Sequence, residues 1–184
     1  MREAAKDLWK QEWEPVSRPA CIFWLAFYGL FFLHALTDGD GFLVIDSVNL
    51  IVHEAGHLLF GWLGQTLGLW GGTLLELLVP LALLLHFAYH RQPTGAAFAA
   101  FFLFENLLYI SLYMADARAQ VLPLVTVGDP EAVEGHDWFL ILSGWELLQY
   151  DVTIARAVRI VGWLGMLGTT GWLARQGLGR RAGI

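Results

Sequence analysis

The chain has 184 residues, 57% of them hydrophobic, 14% aromatic and only 15% charged, with nine tryptophans and a mean hydropathy of +0.53. A soluble domain of this size carries about a quarter charged residues, so the composition is that of an integral membrane protein, read as one domain over residues 1–184 with the lipid bilayer as its first partner. A net charge of −6 leaves no basic footprint for nucleic acid, and a single cysteine, Cys21, excludes an intramolecular disulfide.

Residues 1–19 mix Arg2, Lys6, Lys10 and Arg18 with Glu3, Asp7, Glu12 and Glu14. Leu8, Trp9 and Trp13 recur among them at helical spacing, which suits an interfacial helix at the headgroups or, equally, an ordinary polar tail. The first apolar run, 20–36, is too long for a signal-peptide core and reads as an uncleaved anchor. It ends at the acidic, glycine-rich turn 37–41. A second apolar segment starts near Phe42 and is expected to stop near Gly61, because Gly61, Gly64, Gly68, Gly71 and Gly72 break up its far end. The stretch 62–72 is then a loop or a re-entrant piece packed inside protein.

A third helix is expected over 73–89, with Glu76 and Pro80 inside it and His86 and His90 as interfacial histidines. A fourth, over 95–115, holds Glu105 and Asn106 as interhelical glue or as supports for the histidines described below. The long connection 117–137 is a candidate functional loop. Residues 138–149 are too few to cross about 30 Å of hydrocarbon, so they predict a short interfacial helix, with a tilted sixth span as the alternative. A last span covers 152–173. The fold class is therefore all-α: a polytopic transmembrane helix bundle of five to six spans. Counting spans puts the N-terminus, the end of the second segment and the 117–137 loop on one face. The excess of lysine and arginine makes that face cytoplasmic, in what reads as a bacterial inner membrane.

Within the second segment stands His53-Glu54-Ala55-Gly56-His57, an H-E-x-x-H. On a helix the two histidines share a face and can reach one metal ion, while Glu54 is placed to act as general base on a metal-bound water. Such a Zn²⁺ site needs a third protein ligand and an open position. The metzincin continuation is excluded, because Phe60 and Leu63 stand where its glycine and third histidine would be. Asp116 ranks first as third ligand because a helix end fixes it, and His136 second, with Asp137 beside it and Glu76 a poorer choice in its apolar helix. A carboxylate that only solvates a helix end is the competing role for Asp116. The expected core of the site is thus 42–137.

An H-E-x-x-H on an apolar helix, followed two spans later by an aspartate at a helix end, resembles the core of site-2-protease-type intramembrane zinc metalloproteases over roughly residues 42–118. The resemblance implies Zn²⁺ on His53, His57 and Asp116, with Glu54 as general base. It further implies a peptidase acting on a membrane protein or peptide substrate near the cytoplasmic face. The whole chain is also similar to bacterial membrane proteins that combine this motif with His-Asp-Trp, here His136-Asp137-Trp138. Two other classes compete: a non-hydrolytic metal protein, in which a sensor or structural site uses the same histidines, and a transport or assembly subunit with His34, Glu76, Glu105 and His136 along a polar path. Oligomeric state is left open by the sequence.

Overall fold

The computed structural model describes residues 12–38, 43–122 and 135–179, and among them there is no strand. Six α-helices follow one another: α1 (Arg18–Thr37), α2 (Asp46–Gly61), α3 (Gln65–Tyr89), α4 (Pro93–Ala115), α5 (Asp137–Gly144) and α6 (Asp151–Leu178), with one 3₁₀ turn at Leu148–Tyr150. Most of the N-terminal segment read as an interfacial helix lies outside the described residues, as does most of the 117–137 loop.

Four helices, α1, α3, α4 and the 148–178 stretch containing α6, are long and apolar enough to cross a membrane. The central one is α4, 56% buried over its apolar window against 11% for α1. Small residues explain its position. Ala96, Ala97 and Ala99 are buried on its first turns, and Gly162 and Gly165 of α6 leave room for it, since a Cβ on Gly165 would overlap the Phe104 ring. Without a hydrophobic drive between helices inside lipid, such close approach is what holds spans together. On the other side α1 packs by aromatic contacts, with Tyr28 stacked on Phe101 at 4.3 Å between ring centroids.

The stretch 62–72 is not a loop. Only Trp62–Gly64 separates α2 from α3, with Gly64 at a φ of +112° that glycine alone adopts without strain. The remaining glycines continue the helix because they serve packing: a Cβ on Gly56 of α2 would overlap the Gly71 carbonyl of α3, and one on Gly71 would lie 2.5 Å from the Gly56 oxygen. Backbone lies on backbone across this hairpin, a gain that local helix propensity does not register.

The motif helix also differs from the expected second span. At 16 residues α2 is about 24 Å long, and it begins beside the middle of α4, where the Asn49 side-chain amide donates to Glu105 Oε2 at 3.1 Å. It runs parallel to α4, with the His53 ring 5.5 Å from that of Tyr113. Since α1 also runs parallel to α4, α2 does not carry the chain back across the bundle. Glu14 N–H donates to the Arg91 carbonyl at 3.0 Å, and Trp13 packs on Trp172. The start of α1, the α3–α4 turn and the end of α6 therefore share one end of the bundle. The second half of α2, the start of α3, the end of α4, α5 and the start of α6 share the other. The N-terminal segment and the end of the motif helix thus lie at opposite ends, not on one face as the span count implied.

Residues 138–149 form a short helix and a 3₁₀ turn, as expected, and not a tilted span. The α5 helix has 8 residues, about 12 Å. Its neighbourhood is tied down by Arg118, whose guanidinium meets both oxygens of buried Asp151 at 2.7 and 2.8 Å, joining the end of α4 to the start of α6.

Candidate metal centre

His53 and His57 lie on the inner face of α2, their ring centroids 4.7 Å apart, as i and i+4 spacing dictates. His57 Nδ1 donates to the Gly68 carbonyl at 2.7 Å. A carbonyl only accepts, so Nδ1 holds the hydrogen and Nε2 faces the site. His53 Nδ1 lies 3.2 Å from Glu76 Oε1; both atoms are buried and without a hydrogen-bond partner, and a hydrogen on Nδ1 would give this ring the same orientation. Gly72, one turn before Glu76, makes space for this ring: a Cβ there would be 2.5 Å from His53 Nε2.

Both Nε2 atoms converge on one oxygen, Asp137 Oδ2, at 2.9 Å from His53 and 3.1 Å from His57. Asp137 is the first residue of α5 and is held by Tyr113, whose hydroxyl accepts the Asp137 N–H at 3.2 Å and donates to Oδ2 at 3.5 Å. Burial alone would lift the Asp137 carboxyl, but protons on the two Nε2 atoms, in the place a metal would take, donate to it, outweigh burial and hold the group below the usual carboxylate range. Asp137 is therefore an anion at neutral pH.

Asp116 and His136, the expected third ligands, are placed together and are not among the donors that converge with the two histidines of α2. Asp116 ends α4, and its two oxygens accept the N–H groups of Val121 and Leu122, each at 3.0 Å. His136 Nε2 lies 3.5 Å from Asp116 Oδ2. The His136 ring stacks on Tyr113 with centroids 4.1 Å apart, and its Nδ1 accepts from Phe139 N–H as the cap of α5. Burial pulls this imidazole below its usual range, consistent with a neutral ring that accepts. These two residues build the turn that presents Asp137. Among the described residues the metal-type donors that converge are His53, His57 and Asp137, all within 4.8 Å of one another.

Glu54 lies half-buried on the same turn as His53, within electrostatic reach of His53, His57 and Asp137. The His57 side chain is 26% exposed against 5% for His53, so the centre opens on the His57 side. The hydrogen bonds of Glu105 and Asn106 run to groups other than the histidines. Glu105 accepts from Asn49, and Asn106 donates to the Phe102 carbonyl at 2.8 Å. His86 and His90 pair ring to ring at the far end of α3.

No family model, curated protein or solved structure matches this chain. What the centre can do rests on its own donors. A metal 2.0–2.2 Å from each donor requires donor pairs no more than about 4.4 Å apart; the two imidazole-to-carboxylate distances, 2.9 and 3.1 Å, meet that, and all three donors lie within 4.8 Å of one another. The surrounding groups are those that orient metal-bound imidazoles, a carboxylate behind one ring and a carbonyl behind the other. Replacing Glu76 by glutamine is expected to keep the fold and weaken binding of a metal at this centre by about 10–100-fold, read by competition with a chromophoric chelator. Wild-type affinity in Glu76→Gln would remove Glu76 from the positioning role.

Proposed function

We propose that this chain is a membrane-embedded metallohydrolase, a zinc peptidase that cuts a membrane-associated polypeptide. One observation supports it above the rest. Two imidazole nitrogens, which are acceptors once both Nδ1 atoms hold hydrogen, lie about 3 Å from one carboxylate oxygen in a buried setting, and such a cluster needs a cation, a metal ion or protons on Nε2, at its centre. His53, His57 and Asp137 would hold the ion, in place of the His53, His57 and Asp116 set. Zinc on such a site supplies a Lewis acid and brings the pKa of a bound water to about 7.

The remaining chemistry belongs to the chain. Glu54 accepts the proton of the attacking water and returns it to the leaving amine. Glu76 and the Gly68 carbonyl keep both imidazoles turned inward. Tyr113 orients Asp137, and the partly open His57 side admits the substrate. The bundle is read as four spans, with α2 lodged partway between them.

Glu54→Gln is the test. Detergent-purified variant is expected to retain its zinc and to lose about 10²–10⁴-fold of turnover against an internally quenched peptide library. Equal turnover in both proteins would remove Glu54 as base. Bound zinc with no turnover in the wild type would leave the non-hydrolytic reading in its place.

A further inference from the structure

We infer that the metal centre opens on the non-cytoplasmic side of the membrane, so that its substrate class is the polypeptide segment that leaves the bilayer on that side. The substrate half of this inference rests on the hydrolase reading above; the orientation does not.

The placement follows from which ends meet. The Glu14 to Arg91 hydrogen bond and the contact of Cys21 Sγ with the Leu173 carbonyl put the start of α1, the α3–α4 turn and the end of α6 together. The His57 to Gly68 bond, the Asp137 contacts and the Arg118 to Asp151 pair lie at the other end. The eleven lysines and arginines divide unequally between these ends. Arg2, Lys6, Lys10 and Arg18 precede or begin α1, Arg91 sits in the α3–α4 turn, and Arg175, Arg180 and Arg181 close the chain. Only Arg118, Arg156 and Arg159 belong to the metal end, and Arg118 is already paired with Asp151. Lysine and arginine near span ends favour the cytoplasmic side, while acidic residues contribute little. The start of α1, the α3–α4 turn and the end of α6 are therefore on the cytoplasmic side and the metal end faces away.

The aromatic residues mark the depth. Trp62 is 93% and Trp145 57% exposed at the metal end, in the position of an interfacial belt. His57 is five residues before Trp62, a little over one helical turn. The centre thus sits just inside the surface, where a juxtamembrane segment of an exported or membrane-anchored polypeptide can reach it.

Single cysteines at Glu14→Cys and Gln149→Cys in a Cys21→Ser background, exposed to a membrane-impermeant maleimide in spheroplasts, test the orientation. Labelling of Gln149→Cys in intact spheroplasts, and of Glu14→Cys only after lysis, is expected. The reverse pattern, or equal labelling of both before lysis, would overturn it. The quenched peptide library added outside intact spheroplasts tests the substrate side: cleavage by wild type and not by Glu54→Gln is expected. The expected labelling without cleavage on either side of the membrane would leave the orientation standing and sink the hydrolase reading, whereas cleavage confined to lysed spheroplasts would overturn the inferred substrate side.

Discussion

Asp137→Asn is expected to strip the metal from the purified protein, while Asp116→Asn keeps it. Asparagine preserves the shape of the Asp137 side chain but removes the anionic oxygen on which both Nε2 atoms converge at 2.9 and 3.1 Å. Losing a direct ligand costs more than the about 10–100-fold typical of a supporting residue, so elemental analysis of detergent-purified protein should fall from about one zinc per chain to background. Asp116→Asn acts elsewhere. Its carboxylate receives the Val121 and Leu122 N–H groups, and an amide offers one acceptor where two are used. The turn leading toward His136 loosens, and zinc affinity falls no further than a supporting contact allows. Metal retained in Asp137→Asn and lost in Asp116→Asn would reverse the assignment and restore the ligand set that the family resemblance implied. His53→Ala should match Asp137→Asn, because it removes a ligand of the same centre.

Why the sequence pointed to Asp116 is a matter of range. The i, i+4 geometry of His53 and His57 is local to one helix, so their convergence was legible from spacing alone. The third donor comes from 80 residues further on, through an eight-residue helix whose entry angle depends on Tyr113 and on the Asp116 to His136 contact. Spacing cannot tell which of two adjacent residues, His136 or Asp137, such a turn aims inward. The helix cap decides it here: His136 spends its Nδ1 on Phe139 N–H, and the next residue enters the site. The helical class and the short α5 were likewise legible, since they depend on composition and length. Two features were not. Glycines 68, 71 and 72 are helix breakers by local propensity, yet they lie inside α3 because α2 packs against them. The second apolar segment looked like a span because hydropathy does not register where a helix begins in depth. That depth is set by long-range polar contacts of Asn49 with Glu105, and by Asp46 accepting the Leu43 N–H at 2.6 Å.

The same hairpin predicts the largest structural effect of a single substitution. Gly56→Val is expected to yield protein that is both destabilised and depleted of metal. The new side chain would start inside the Gly71 carbonyl, with its Cβ 2.9 Å from Gly72 Cα. Both neighbours are backbone, so no rotamer change relieves the overlap and the helices must separate. Overpacking that side chains can absorb costs about 1–3 kcal/mol, and a rigid backbone clash exceeds that. Separation also withdraws the Gly68 carbonyl from His57 and Glu76 from His53, which frees both rings to turn. Gly29→Ala and Gly168→Ala are the controls, since a Cβ at either position meets nothing within 4 Å, and stability within about 0.5 kcal/mol of wild type is expected for both. Thermal aggregation midpoints and zinc content, measured on the same detergent preparations, decide it. A Gly56→Val protein with wild-type midpoint and full zinc would mean that α2 and α3 do not touch through their backbones. A loss of stability with zinc retained would uncouple the helix contact from the orientation of the histidines. The joint loss expected here follows because the glycines that let α2 approach α3 lie on the same helical turns as the groups holding each imidazole in place.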